Sequence, residues 1–319
     1  MRLIVSLFLG LCAVFAANAQ DYPSRPVRII VPYAPGGVTD IAARIVGNKL
    51  SETWKQQVVI ENRPGGGGVV GTQAVAKATP DGYTLLAATV SEFAITQHFY
   101  VKFPLDPIKD FAPIVLVSDT PLMFAANASA PFNTVAEMIA YAKTQPGGLA
   151  FASPGNGTLN HLTGERFAFE TRTKMLHVPY KGGGPAGAAI ASGEVPVGVV
   201  AASSAITFIK AGRVKAIAVT MAKRIPLGPE WPTVAESGVP GFEASNWVAM
   251  VAPTGTPRDI IVKVNVDTNR ALKMPDVRER FAGVGAEAVG STPDELAAKI
   301  RGDSERYGKI AKQLNIKLD

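Results

Sequence analysis

The sequence predicts an α/β protein of two lobes with mostly parallel sheets, and three observations carry that expectation. Short apolar runs alternate with helical patterns along the whole chain, the grammar of parallel strands joined by helices. A strand gives way to a helix through glycine at two widely separated places, Pro35-Gly36-Gly37 and Gly155-Asn156-Gly157. Two further apolar segments, Leu122–Ala126 and Trp247–Ala252, read as hinge crossings from one lobe to the other.

The elements follow in chain order. Val27–Val31, Val58–Glu61, Thr84–Ala88, Ile114–Val117, Leu149–Ala152, Met175–Val178, Val195–Val200 and Ala216–Val219 read as strands. Thr134-Val135-Ala136-Glu137 is a capping box whose helix stops at Pro146-Gly147-Gly148. Thr256-Pro257 opens a helix with Pro at its first position and Ile260, Ile261, Val264 and Leu272 on one face. Thr292-Pro293-Asp294-Glu295 opens the last helix, with Leu296, Ile300, Tyr307 and Leu314 inward. The expected organisation is lobe one from 20–120 plus 245–319, and lobe two from 121–244.

The first residues read as a secretory signal. Arg2 precedes an apolar core from Leu3 to Ala16, and Ala17-Asn18-Ala19 is a small-residue cleavage site, which places the cut between Ala19 and Gln20. The apolar stretch is shorter than the roughly 20 residues that span a bilayer. Cleavage removes Cys12, the only cysteine, so no disulfide is expected. The net charge of +6 comes from scattered basic residues without interleaved aromatics, which argues against nucleic acid as a partner and suits an anionic small molecule.

Both glycine junctions are built to hold an anion. Glycine lets a ligand approach the backbone, and the free N–H groups of a first helical turn carry partial positive charge. At the first junction Pro35, Gly36 and Gly37 leave those groups uncovered and Thr39 offers a hydroxyl. Asp40 has two open readings: it pairs with Arg44 one turn on, or it orients the ligand or an ordered water. At the second junction Ser153, Asn156, Gly157 and Thr158 supply donors, and His161 shares their face as either a ligand contact or a structural hydrogen-bonder. Lys181 adds charge to the cleft or is a solvated loop lysine.

An ordered set of motifs resembles one family. These are Tyr22-Pro23-Ser24-Arg25-Pro26, Pro35-Gly36-Gly37-Val38-Thr39-Asp40, Glu61-Asn62-Arg63-Pro64 with Gly65–Gly68, and Pro80-Asp81-Gly82-Tyr83-Thr84-Leu85. Further along stand Asp110-Phe111-Ala112-Pro113-Ile114, His177-Val178-Pro179-Tyr180-Lys181-Gly182, Pro232-Thr233-Val234-Ala235-Glu236 and Ala252-Pro253-Thr254-Gly255-Thr256-Pro257. Together they resemble the substrate-binding proteins of the tripartite tricarboxylate transporters, the Bug-type or TctC-type receptors. The resemblance implies a type II periplasmic binding protein of Venus-flytrap form, monomeric and without cofactor. It further implies closure on a small organic carboxylate and delivery to a large and a small membrane permease subunit.

Two departures from the family pattern bear on the ligand. Val200-Ala201 stands where many relatives carry Asp-Asn, and Ser91-Glu92-Phe93 stands where Gly-Thr-His is common. An apolar wall at Val200 and a rim bearing Glu92 and the Phe93 ring would favour an aromatic or branched monocarboxylate over a tricarboxylate or amino acid. An enzyme is the rival reading. None of His98, His161 and His177 is spaced for a metal site, no Gly-x-Ser-x-Gly elbow occurs, Ser153 has no evident base, and Gly65–Gly68 lacks the Lys of a phosphate loop. A receptor that presents its ligand to a membrane sensor kinase would have the same cleft.

Overall fold

The computed structural model describes residues 22–100 and 102–318; the expected signal segment and its cleavage site lie outside them. The first half of the sheet starts from β1 (Val27–Val31), which pairs in parallel with β2 (Val58–Asn62) on one side and β3 (Thr84–Thr89) on the other. Proline follows closely on β1 and β2, at Pro32 and Pro64, and β3 ends where the chain enters the helical turn Ser91–Ile95. Helix α1 (Val38–Trp54) covers β1 to β3, and its buried face of Ala42, Val46 and Leu50 recurs at helical spacing. Helix α2 (Val69–Ala76) follows the four-glycine run.

The seventeen-residue strand β4 (Phe111–Asn127) ties the two halves together. From Phe111 to Pro121 it runs antiparallel to β9 (Ser245–Pro253); from Leu122 onward its neighbours are β7 (Val197–Ala201) and β8 (Val214–Val219). The polar stretch Ser118-Asp119-Thr120 therefore does not break the strand, and register shifts near Val115 and Ser118 bend it instead. Beyond β7 the sheet continues in parallel through β5 (Leu149–Ser153) and β6 (Met175–Pro179). The segment Trp247–Ala252 is an interior strand between β3 and β4; the passage back into this half falls just before it, where Ser245 meets Pro121.

Helices α3 (Val135–Thr144), α4 (Leu159–Thr171), α5 (Gly183–Ser192) and α6 (Ala202–Lys210) belong to the second half. The chain then returns through α7 (Arg258–Leu272), α8 (Pro275–Gly283), the two-residue β10 (Glu287–Ala288) and α9 (Pro293–Leu314). Thr134 and Thr292 cap α3 and α9 as expected, with a complete capping box at Thr292. Thr256 does not cap α7. Its hydroxyl donates to the Pro253 carbonyl, and Pro257 occupies the cap position. One large apolar cluster joins Ile29, Leu85, Phe93 and Trp247 of the first half to Phe124, Phe151 and Phe167 of the second, and a smaller cluster within the second half holds Met123, Ile190 and Val200. Among the described residues no helix is long and apolar enough to cross a membrane.

Candidate functional site

Where the halves meet, the ends of parallel strands and the starts of helices converge, the usual ligand position in open α/β sheets. After β1, Gly36 adopts φ +88°, and Gly37 stands at the N-cap of α1 with no side chain to cap it. Gly37, Val38 and Thr39 face a cavity. From the other half, Gly183 at the start of α5 and Ala201 and Ser204 at the start of α6 face the same cavity. The N-caps of α5 and α6, Gly182 and Ala201, likewise provide no capping side chain. Three uncapped helix N-termini thus point at one space, and none of the residues lining it is charged.

Thr89 at the end of β3, Ser91 in the turn after it, Tyr33, Pro154, Asn160 and Asn246 complete the walls. The space left is about 20 Å³, on the scale of one or two water molecules. Anything larger enters only when the walls part. Glycine makes the seal: a Cβ on Gly37 would stand 3.2 Å from the Gly183 nitrogen, and one on Gly155 3.0 Å from the Gly67 Cα. The Ala34 amide donates to the Lys181 carbonyl at 2.8 Å, and the Leu159 amide to Ser91 Oγ at 3.0 Å.

Of the residues expected from sequence, Gly37, Thr39, Ser91 and Ala201 line the cavity, and Pro35 and Gly36 lie on the exposed lip of the same loop. Asp40 ties that loop to the body of the protein. It accepts from the Gly36 amide at 3.0 Å, Asn62 Nδ2 at 3.0 Å and Arg44 Nε at 3.0 Å. Burial pushes the Asp40 carboxyl up, but the bonds from Arg44, Gly36 and Asn62 and the Arg44 charge outweigh it and hold the pKa below its ordinary value. The Arg44 pair is therefore present, and the Gly36 and Asn62 bonds come in addition to it.

The second glycine junction differs from expectation because it satisfies itself. Thr158 caps α4 by accepting from the His161 amide, and its hydroxyl donates to the Gly155 carbonyl at 2.8 Å. Gly157 donates to His161 Nδ1, and Ser153 Oγ shares a 2.6 Å hydrogen bond with His177 Nε2. The His161 ring is stacked on His177 with centroids 3.8 Å apart and on Phe99 at 5.9 Å. The Ser153 and Thr158 hydroxyls and the Gly157 and His161 amides thus all have partners within this loop or on His177. Asn156 is exposed, and its carbonyl abuts Gly67. The Lys181 side chain is exposed, and only its carbonyl joins the seam.

Three residues expected on the cleft wall stand elsewhere. Phe93 is fully buried, stacked on Trp247 at 6.0 Å with an interplanar angle of 3° and edge-on to Phe111. The wide helical turn Ser91–Ile95 after β3 rotates it inward, away from the rim. Val200 points into the apolar packing of the second half, opposite to its neighbour Ala201 as strand alternation requires. Glu92 is buried behind the cavity, where it accepts from the Thr89 amide at 2.7 Å, the Thr89 hydroxyl at 2.9 Å and the Tyr33 hydroxyl. Burial raises its pKa above the usual range, and the bonds from Tyr33 and Thr89 offset this only in part. With Phe93 and Val200 in the interior, the expected preference for an aromatic or branched monocarboxylate has no wall to rest on.

Tyr33, Val38, Thr89, Pro154, Asn160, Gly183, Ser204 and Asn246 were not anticipated. A usable signal existed for Gly183 and Ser204, since each opens a helix after a turn or strand; Asn246 is marked only as a polar residue at the head of an apolar strand.

A two-lobed α/β binding protein with an uncharged, donor-lined cleft is what fold and site define. The comparisons narrow the class: residues 42–316 match the model of the "Tripartite tricarboxylate transporter family receptor". The chain belongs to that family, a family of solute receptors and not of enzymes. Among solved structures it is similar to the periplasmic binding protein BugD, at 34% identity and TM-score 0.89 over 93% of this chain and 99% of that one. It is also similar to Rpa4515 of R. palustris with adipate, at 33% and 0.90 over 93% and 99%. A third is MatC (Rpa3494) from Rhodopseudomonas palustris with bound malate, at 31% and 0.87 over 91% and 99%.

Proposed function

We propose that this protein is a periplasmic receptor that closes on a small organic carboxylate and delivers it, as a monomer, to the large and small membrane subunits of a tripartite tricarboxylate transporter. The observation that carries the reading is the convergence of three uncapped helix N-termini, those of α1, α5 and α6, on a cavity without a charged side chain. Such a site favours an anion through backbone N–H groups and hydroxyls, and it needs no arginine. The related proteins that hold adipate and malate support the same ligand class. Gly37, Thr39, Ser91, Ala201, Gly183 and Ser204 are the contacts assigned to the ligand. Export would follow cleavage between Ala19 and Gln20.

Closure is the working step. Lobe one would comprise 20–120 and 245–319 and lobe two 121–244, a division supported by the change of partner along β4 between Pro121 and Leu122. A bridging anion meets donors from both lobes only when they approach, so it shifts the population toward the closed form that the permease would engage. A thermal-shift screen of the mature protein against mono-, di- and tricarboxylates, with calorimetry on each hit, tests this. Stabilisation by at least one carboxylate is expected. A response to amines or sugars with none to carboxylates would refute the reading.

A further inference from the structure

We infer that the ligand bears a hydroxyl group, read by a polar subsite at the hinge made of Asn246 and Ser204, with Thr120 behind Asn246; this rests on the carboxylate reading above and deepens it. Asn246 lies on β9 one residue past the passage between halves, and Ser204 lies in the first turn of α6. Both line the cavity, at 4% and 6% exposure. The Asn246 Oδ1 and Ser204 Oγ atoms are sealed from bulk solvent and have no hydrogen-bond partner among the described residues. Thr120, on the adjacent strand in direct register with Asn246, has an equally buried and unpartnered Oγ1.

Buried polar atoms in folded proteins nearly always have partners, so a cluster without them marks where a ligand group belongs. The chemistry of the cluster selects that group. The Asn246 Oδ1 atom only accepts, and an ionised carboxylate also only accepts, so a carboxylate cannot satisfy it. A ligand group that donates satisfies it directly. An ammonium would need a negative partner, and no acidic side chain lines the cavity; the nearby Glu92 is already engaged by Tyr33 and Thr89. A hydroxyl both donates to Asn246 and accepts from Ser204 without adding charge, while Thr120 stands behind Asn246 and does not itself line the cavity. Gly183 keeps the subsite open, since a Cβ there would stand 2.5 Å from Ser204 Oγ. The carboxylate then sits at the helix N-termini and the hydroxyl at the hinge strand, so the subsite reports a correct ligand to the segment about which the lobes move.

The test compares matched acids that differ only in the hydroxyl, malate with succinate and citrate with tricarballylate, by calorimetry on the wild type, Asn246→Ala and Ser204→Ala. In at least one pair the hydroxy acid should bind wild type about tenfold or more tightly than its deoxy partner, the value of one well-made hydrogen bond. That ratio should fall toward one in Asn246→Ala. If Asn246→Ala does not fold, Ser204→Ala serves the same comparison. Equal or tighter binding of the deoxy acids by wild type, or a ratio that survives both substitutions, overturns the inference and leaves the carboxylate reading intact. Failure of all four acids to bind, when other carboxylates do, also overturns it. If no carboxylate of any kind binds, the receptor reading itself fails.

Discussion

Gly67→Ala should disable ligand binding while leaving the fold nearly untouched. Gly67 sits in the four-glycine run of the first half at φ +63°, and a Cβ there would lie more than about 1 Å inside the ordinary C···O contact distance of about 3.3 Å from the Asn156 carbonyl. Neither atom is the end of a flexible side chain, so the two halves must separate by that amount. The hydrogen bonds from the Leu159 amide to Ser91 Oγ and from the Ala34 amide to the Lys181 carbonyl span the same seam at 3.0 and 2.8 Å. Stretched by about 1 Å, neither remains a hydrogen bond. At about 1 kcal/mol each, with some lost packing, closure weakens by roughly 2–3 kcal/mol, or about 30- to 150-fold in affinity. The open form meets no clash and bears only the left-handed strain of alanine, about 1 kcal/mol. Calorimetry with a carboxylate found in the screen, paired with urea unfolding of the free protein, separates the two effects. Unchanged affinity, or a stability loss as large as the affinity loss, would refute the reasoning.

Three further perturbations have defined outcomes. Phe93→Ala should cost about 3–5 kcal/mol in urea unfolding through the cavity it leaves against Trp247 and Phe111, without altering the order of ligand preference; a changed preference would return Phe93 to the ligand wall. Glu92→Ala strands the Thr89 amide and the Tyr33 hydroxyl in the interior, and a loss of at least about 2 kcal/mol is expected by the same measurement. Burial, with repulsion from His161, pushes the His177 pKa down to about 3, so the folded protein keeps the ring neutral while the unfolded chain protonates it near 6.5. Its contribution is thus present above pH 6.5 and lost as pH falls from there toward 3, by about 2 kcal/mol between pH 7 and 5. Wild type should lose that much more than His177→Gln over this interval, and parallel pH profiles would disprove it.

The strands and helices were legible because each is a short apolar run or a capped amphipathic stretch bounded by glycine, proline or threonine. The continuity of β4 was not, since Ser118-Asp119-Thr120 looks like a break when read alone and is held as strand by β9, whose residues lie more than a hundred positions away. The first half of the site was legible for one reason: Gly37 at the N-cap has no side chain with which to cap α1. At Ser153–Thr158, whose hydroxyls read as ligand donors, the structure gives the hydroxyls partners within the protein. A hydroxyl at an N-cap binds its own helix, as Thr158 does, so the N-termini left for a ligand are those that lack one, at Gly182 and Ala201. Phe93 and Glu92 were misplaced because strand alternation was carried past Thr89, where the chain enters a wide helical turn. Asn246 could not be found without knowing that β9 inserts between β3 and β4.

The central claim is that an organic carboxylate is held by the N-termini of α1, α5 and α6. Backbone amide spectra of ¹⁵N-labelled mature protein, titrated with a carboxylate from the screen, test it most directly. The account predicts that the largest shifts fall on Val38, Thr39, Gly183, Ser203 and Ser204, with the Gly157 and His161 amides changing less because they already donate within the protein. Binding that shifts the loop from Ser153 to His161 most strongly, and leaves the α1 and α6 amides unmoved, would contradict it.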